Sequence, residues 1–236
     1  MIFERFGGPT VRFEYGGQTF LTDPTFDAPG EYPVGGLVLV KTAPPLAPPP
    51  DGVDVVLLSH DQHPDNLDHS GRDLLSSVPL VLSTPTAAER LGGNVRGLAP
   101  WDSHLAGGVT VTAVPAQHGP DGTEHLTGPV TGFVLTAPGE PSVYVSGDNA
   151  SLRVVGEVAT RFPDIAVAVL FGGAARAPLL GDVNLTLDAA GMAEAARVLG
   201  VHEVVPVHVS GWAHFTEGPS DVESAFAAAG LAATLV

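Results

Sequence analysis

Four apolar runs in this chain each end within a few residues of a histidine or an aspartate. Val53–Ser59 (VDVVLLS) empties into Ser59-His60-Asp61-Gln62-His63-Pro64-Asp65-Asn66-Leu67-Asp68. Val109–Val114 leads into Pro115-Ala116-Gln117-His118-Gly119, Ser142–Val145 into Ser146-Gly147-Asp148-Asn149, and Glu203–Val207 into His208. Each run has strand length, and VDVVLLS, almost continuously apolar, suits a strand buried on both faces. Strand ends that open into loops are where side chains converge on pockets. Randomly placed histidines and aspartates rarely fall at four such ends. The chain therefore needs a fold that gathers strand ends along one edge.

The remaining pattern agrees with a layered β-rich fold. Thr10–Tyr15 and Gln18–Thr22 flank Gly16-Gly17, a hairpin signal. Thr42–Pro50 is proline-rich and reads as a surface loop. Leu80–Ser83 is a further strand. Thr84 then caps a short helix with Pro85 at its first position. Gly132–Thr136 and Ser142–Val145 form a second hairpin, followed by a helix over Ser151–Phe162 and a buried strand over Ile165–Phe171. An Ala-rich helix is expected over Leu187–Leu199. Ser220 and Glu223 have capping-box spacing before another helix that ends near Gly230. A last strand, Ala232–Val236, is expected to close the chain. No linker separates the two β-rich halves, so residues 1–236 are expected to form one α+β domain.

With no cysteine, any metal must be held by His, Asp, Glu or Asn. His60, His63 and Asp65, three donors within six residues, suit zinc or a similar divalent ion. Taken alone, H-x-x-H-x-D is weakly specific, because loop histidines are commonly free. His118, Asp148 and His208 at the other strand ends make the set specific. The net charge of −16 argues against nucleic acid and anionic membrane surfaces as partners and leaves a small-molecule substrate. No signal peptide or apolar span is evident, so a cytoplasmic location is expected.

Leu21-Thr22-Asp23-Pro24, SHDQHPDNLD, QHG, SGD and PVH, in this order, resemble the metallo-β-lactamase superfamily from about Gly7 to the C-terminus. They are most similar to the branch containing L-ascorbate-6-phosphate lactonase and N-acyl-phosphatidylethanolamine phospholipase D. The resemblance implies a four-layer αβ/βα sandwich with a metal site at one edge of two sheets. It implies that His60, His63 and His118 hold a first metal, that Asp65 and His208 serve a second, and that Asp148 bridges them. Asp23 would accept a hydrogen bond from a ligating imidazole. The family usually reads H-x-H-x-D-H. Here one extra residue separates the histidines, and Asn66 stands where the last histidine would be. In one alignment His63 is the ligand, which keeps the usual His63-x-Asp65 spacing. In the other, Gln62 is the displaced ligand. Asn66, a poorer and harder donor than imidazole, leaves one or two ions open and admits manganese beside zinc.

A metal with an open position would lower the pKa of bound water, and Asp148 would orient the attacking oxygen and carry a proton. The implied reaction is hydrolysis of a small ester, lactone, amide or phosphodiester. The altered Asn66 position motivates an alternative, a metal- or ligand-binding protein that has lost hydrolysis. His214, close after His208, is a candidate acid or substrate contact, with Trp212 a candidate pocket wall. His69, His104, His125 and His202 read as surface or structural. Lys41, the sole lysine, is expected to be exposed. Gly172-Gly173 reads as a tight turn. No G-x-S-x-G elbow supports a serine mechanism.

Overall fold

The computed structural model describes residues 1–236, the side chain of Ala233 excepted. The chain opens with the strands β1 (Phe3–Gly7), β2 (Thr10–Tyr15) and β3 (Gln18–Thr22), then the hairpin β4 (Gly30–Val34) and β5 (Leu37–Lys41). β6 (Val55–Leu57), α1 (His69–Leu75), β7 (Leu80–Ser83), α2 (Pro85–Leu91) and β8 (Val95–Gly97) complete the first half. The second half begins with β9 (Ser103–Ala106), β10 (Val109–Pro115), α3 (Glu124–Thr127), β11 (Thr131–Thr136) and β12 (Ser142–Val145). It continues through α4 (Leu152–Arg161), β13 (Ile165–Phe171), α5 (Ala189–Leu199), β14 (Glu203–Val207) and α6 (Pro219–Ala228).

Two six-stranded sheets result, in the orders β1-β2-β3-β6-β7-β8 and β14-β13-β12-β11-β10-β9. Strand periodicity assigns their faces. Val55 and Leu57 point inward with Phe13 and Phe20, and meet Val111, Phe133, Val169 and Phe171 of the other sheet. Val56 and Leu58 point outward and pack against Leu67 and against Leu75 of α1. On the second sheet Ala168 and Leu170 face outward, against Val155 and Val158 of α4, Met192 of α5 and Phe226 of α6. The layers are therefore helix, sheet, sheet, helix. This is the αβ/βα sandwich, and each fully buried Leu or Phe contributes about 1.5–3 kcal/mol to it.

Several boundaries differ from the sequence reading, each for a local reason. The run Val53–Ser59 pairs as a strand only over Val55–Leu57, because the Ser59 N–H is taken by Asp23 Oδ1 at 2.6 Å. Leu187 lies outside α5: its N–H donates to the Asn149 carbonyl and its carbonyl accepts from Ala174, while Asp188 caps the helix. α6 starts with Pro219 at its first position, and the Asp221 carboxylate accepts from the Gly218 N–H at 2.8 Å. Ser220 is thus inside the first turn, and the expected Ser220–Glu223 box is replaced by Asp221 acting on Gly218. The expected strand Ala232–Val236 is instead a 3₁₀ turn over Ala232–Thr234. Both the N–H and the hydroxyl of Thr234 bond to the Leu231 carbonyl, which favours the turn. Only the last two residues reach β14, through a Val204–Leu235 bridge and a Val236 N–H to Val204 carbonyl bond.

Lys41 is buried, not exposed. Its Nζ lies 3.0 Å from Asp68 Oδ2 and 5.7 Å from the centroid of the Trp212 ring. Asp68 also caps α1 by accepting from the Gly71 N–H. The pair thus fastens the β4–β5 hairpin to the start of α1. Removing one partner of a buried pair leaves the other charge stranded. Lys41→Met is expected to cost about 3–5 kcal/mol in urea denaturation. A loss below about 1 kcal/mol, the range of a surface pair, would contradict this role.

Candidate metal centre

All four ligand-bearing strand ends meet at one edge of the two sheets. β6 delivers His60 and β10 delivers His118. β12 delivers Asp148 through a Ser-Gly-Asp turn in which Gly147 has φ +57°. A Cβ at Gly147 would lie 2.5 Å from the Thr131 carbonyl oxygen, so this turn requires glycine. β14 delivers His208, itself in the left-handed region at φ 60°. Its carbonyl sits where a Cβ on Gly173 would be, 2.4 Å away, and Gly173 has φ +85°. The Gly172-Gly173 turn therefore lets backbone approach the site, and the Gly172 carbonyl accepts from His208 Nδ1 at 3.3 Å. Asp23, at φ 24°, is a second strained residue at this edge.

Donor atoms of His60, His63, His118 and Asp148 lie within 4.8 Å of one another, as do those of Asp65, Asp148 and His208. Asp148 belongs to both groups. His60 Nε2 lies 2.9 Å from His63 Nδ1, and His118 Nε2 lies 3.3 Å from it. The Gln62 amide lies against Gly128, and its Oε1 is buried without a hydrogen-bond partner. Of the two alignments, the one that uses His63 is matched by the first donor group.

His60, His118 and His208 are oriented from behind, as metal-ligating histidines are. His118 Nδ1 donates to the Leu185 carbonyl at 2.8 Å. His60 Nδ1 donates to Ser59 Oγ at 2.9 Å, and that hydroxyl donates to Asp23 Oδ2 at 2.6 Å. Asp23 therefore does not accept directly from an imidazole as the resemblance implied. Ser59 stands between them, because its N–H and hydroxyl occupy both Asp23 oxygens. Sequence reasoning passed over Ser59, whose only signal was its place just before His60.

Asn66 faces the carboxylates with its amide nitrogen, which donates to Asp23 Oδ2 and Asp148 Oδ1, both at 3.0 Å. Asp65 Oδ2 accepts from His208 Nε2 at 3.2 Å and from His214 Nε2 at 3.0 Å. His214 thus stands beside the cluster, joined to it through Asp65 and outside both donor groups. Trp212 is buried near Tyr32 and Lys41, behind the site. His69, His104, His125 and His202 take no part in either donor group.

The electrostatics favour a cation here. Among the described residues, Asp65 Oδ1, Asp148 Oδ2 and Asn66 Oδ1 are buried without a hydrogen-bond partner. Such atoms are costly unless an ion answers them. Burial, and then the neighbouring His63, holds His60 well below the usual histidine range. Burial and His118 push His63 down to about 4. Both are neutral at pH 7 and keep a lone pair to offer. Burial would raise Asp65, but His214 and His208 keep it well below the carboxylate range. Burial lifts Asp23 to about 7 against the hydrogen bonds from Ser59 and Asn66. Two neutral imidazoles, two low carboxylates and orphaned oxygens fit one or two divalent ions.

The model of the beta-lactamase superfamily domain matches residues 18–209. The chain belongs to the metallo-β-lactamase superfamily. A UPF0173 metal-dependent hydrolase of Methanosphaerula palustris is 31% identical over 173 residues, 69% of this chain and 71% of that protein. Among solved structures, a possible metal-dependent hydrolase from Veillonella parvula superposes with a TM-score of 0.85 at 20% identity, over 99% of this chain and 95% of that one. An isothiocyanate hydrolase from Delia radicum gut bacteria gives 0.84 at 21%, over 100% of this chain and 95% of that one. At such identities the two structures speak for the superfamily's fold alone. Among the described residues no helix is long and apolar enough to cross a membrane.

Proposed function

We propose that the protein hydrolyses a small ester, lactone, amide or phosphodiester with water activated at a divalent ion, zinc or manganese. The two donor groups that share Asp148 carry this reading, and metal-dependent hydrolases among its relatives support it. His60, His63 and His118 would hold one ion, and Asp65 and His208 would serve a second, with Asp148 common to both donor groups. A bound divalent ion polarises the bond under attack and lowers the pKa of a water. The chain's own groups do the rest. Ser59 and Asp23 fix the His60 tautomer. Asp148 orients the attacking oxygen and accepts its proton. His214, held by Asp65 and lining the cleft, delivers a proton to the leaving group. The chain is read as one domain acting in the cytoplasm, of the lactonase-like branch named above.

The second ion position has fewer donors than the first, because the Asn66 amide nitrogen faces the carboxylates. Elemental analysis should therefore find closer to one tight metal than two, and Asn66→His should raise the second occupancy. Two equally tight metals in the unmodified protein would overturn this. The same preparations, assayed on chromogenic lactones and phosphodiesters, test hydrolysis. Full metal content without turnover on any of them would favour a binding protein that has lost hydrolysis.

A further inference from the structure

The cleft over the donor groups has a volume of about 160 Å³ and walls that the metal centre does not explain. Val34, Leu37 and Leu39 of the β4–β5 hairpin form one side. Leu126 of α3 and the turn residues Leu179 and Leu180 form the other. Leu126 and Leu179 are 56% and 71% exposed, so packing of the core does not account for them. Arg176 is the one Lys or Arg among the lining residues. Its Nε donates to Asn184 Oδ1 at 3.0 Å and its Nη1 lies 3.5 Å from Asp182 Oδ1. Asn184 thus takes up the Nε edge of the guanidinium, which leaves less of its fork to clamp a phosphoryl or carboxylate group, and no ammonium lines the cleft. A net charge of −16 further disfavours an approaching anion.

Resting on the hydrolase reading, we infer that the substrate is a neutral acyl compound with an aliphatic body, an ester or lactone, and not a phosphodiester. The aliphatic part lies between the hairpin and the Leu126–Leu179 rim, with the carbonyl at the donor groups. Water oxygen forms a bond to the acyl carbon, the acyl C–O bond breaks, and the departing alkoxide takes a proton. An ester gives the carboxylic acid and the alcohol, and a lactone gives the single hydroxy acid.

The test compares p-nitrophenyl acetate, butyrate and hexanoate with bis(p-nitrophenyl) phosphate on metal-loaded protein. The value of kcat/KM should rise about two- to fourfold for each methylene added. The phosphodiester should lie at least tenfold (about 1.4 kcal/mol) below hexanoate. The exposed positions allow Leu126→Asp and Leu179→Asp without disturbing the core, and the pair should flatten the chain-length series. Binding is read separately, by saturation-transfer NMR on the slow, zinc-loaded Asp148→Asn protein with methyl hexanoate and dimethyl phosphate. Transfer to the alkyl chain of methyl hexanoate, lost in the double variant, is expected, with none to dimethyl phosphate. Preference for the phosphate in either measurement, or no transfer to methyl hexanoate, overturns the inference while leaving hydrolysis open. Retained alkyl binding with no turnover of any ester supports the inference and places the failure with the hydrolase reading.

Discussion

Asp148→Asn is expected to lower turnover by about a hundredfold or more at saturating metal, with the fold intact. The side chain is fully buried, and each oxygen has a separate task. Oδ1 accepts from Asn66 Nδ2 at 3.0 Å. Oδ2 has no hydrogen-bond partner and lies 3.6 Å from His118 Nε2. Burial would raise this carboxyl, yet His208 and His118 keep it below the ordinary aspartate range, so it is charged at pH 7. Asparagine preserves the shape and the strained turn but removes that charge and the proton acceptor. His118→Ala makes the contrast. His118 offers one donor nitrogen, so its loss should chiefly weaken metal affinity, and excess metal should restore part of the activity. Kinetics of both variants at rising metal concentration give the measurement. Near-normal turnover of Asp148→Asn would remove Asp148 from the proposed mechanism.

The difference between these two variants follows from features that the sequence displays unevenly. The strands that carry His118, Asp148 and His208 are apolar runs bounded by loop signals, and their ends were legible because burial on both faces leaves little ambiguity. The extra residue between His60 and His63 was legible as a departure but not as a geometry. Only the folded loop shows His63 Nδ1 turned to the cluster, with the Asn66 and Leu67 N–H groups both bonded to the His63 carbonyl. Lys41 was misread because a lone lysine has no sequence signal for its partner. Asp68, 27 residues away, meets it only when the hairpin folds over α1. The hairpin had a signal that went unused: Gly35-Gly36 between apolar runs, both at positive φ. Its neighbour Pro33 masked the strand. The apolar rim was hidden for a different reason, because Leu37, Leu126 and Leu179 lie far apart in the chain and look like ordinary core residues there.

Chelation is expected to abolish hydrolysis and to lower the thermal midpoint by about 10 °C, since a ligand present at about a thousand times its Kd stabilises by ~4 kcal/mol and each kcal/mol moves a domain of this size about 2–4 °C. Without an ion, Asp65 and Asp148 share a buried space, and the cluster must find its positive charge elsewhere. His208 supplies it. Burial would lower this imidazole, but Asp148 and then Asp65 outweigh burial and lift it to about 9. Its protonated form is the folded protein's substitute for a cation. Because the folded value stands above the ordinary histidine value of 6.5, the stabilisation is fully present below about pH 6.5 and is lost as pH rises through about 9. Chelated protein should therefore melt progressively lower between pH 7 and pH 9. In loaded protein His208 is a neutral donor, so that part of the decline should be absent, and the gap between the two melting curves should widen with pH. Metal uptake should also release a proton near pH 7, measurable in weakly buffered solution. Melting curves that coincide at every pH after verified metal removal would mean that these residues do not share an ion.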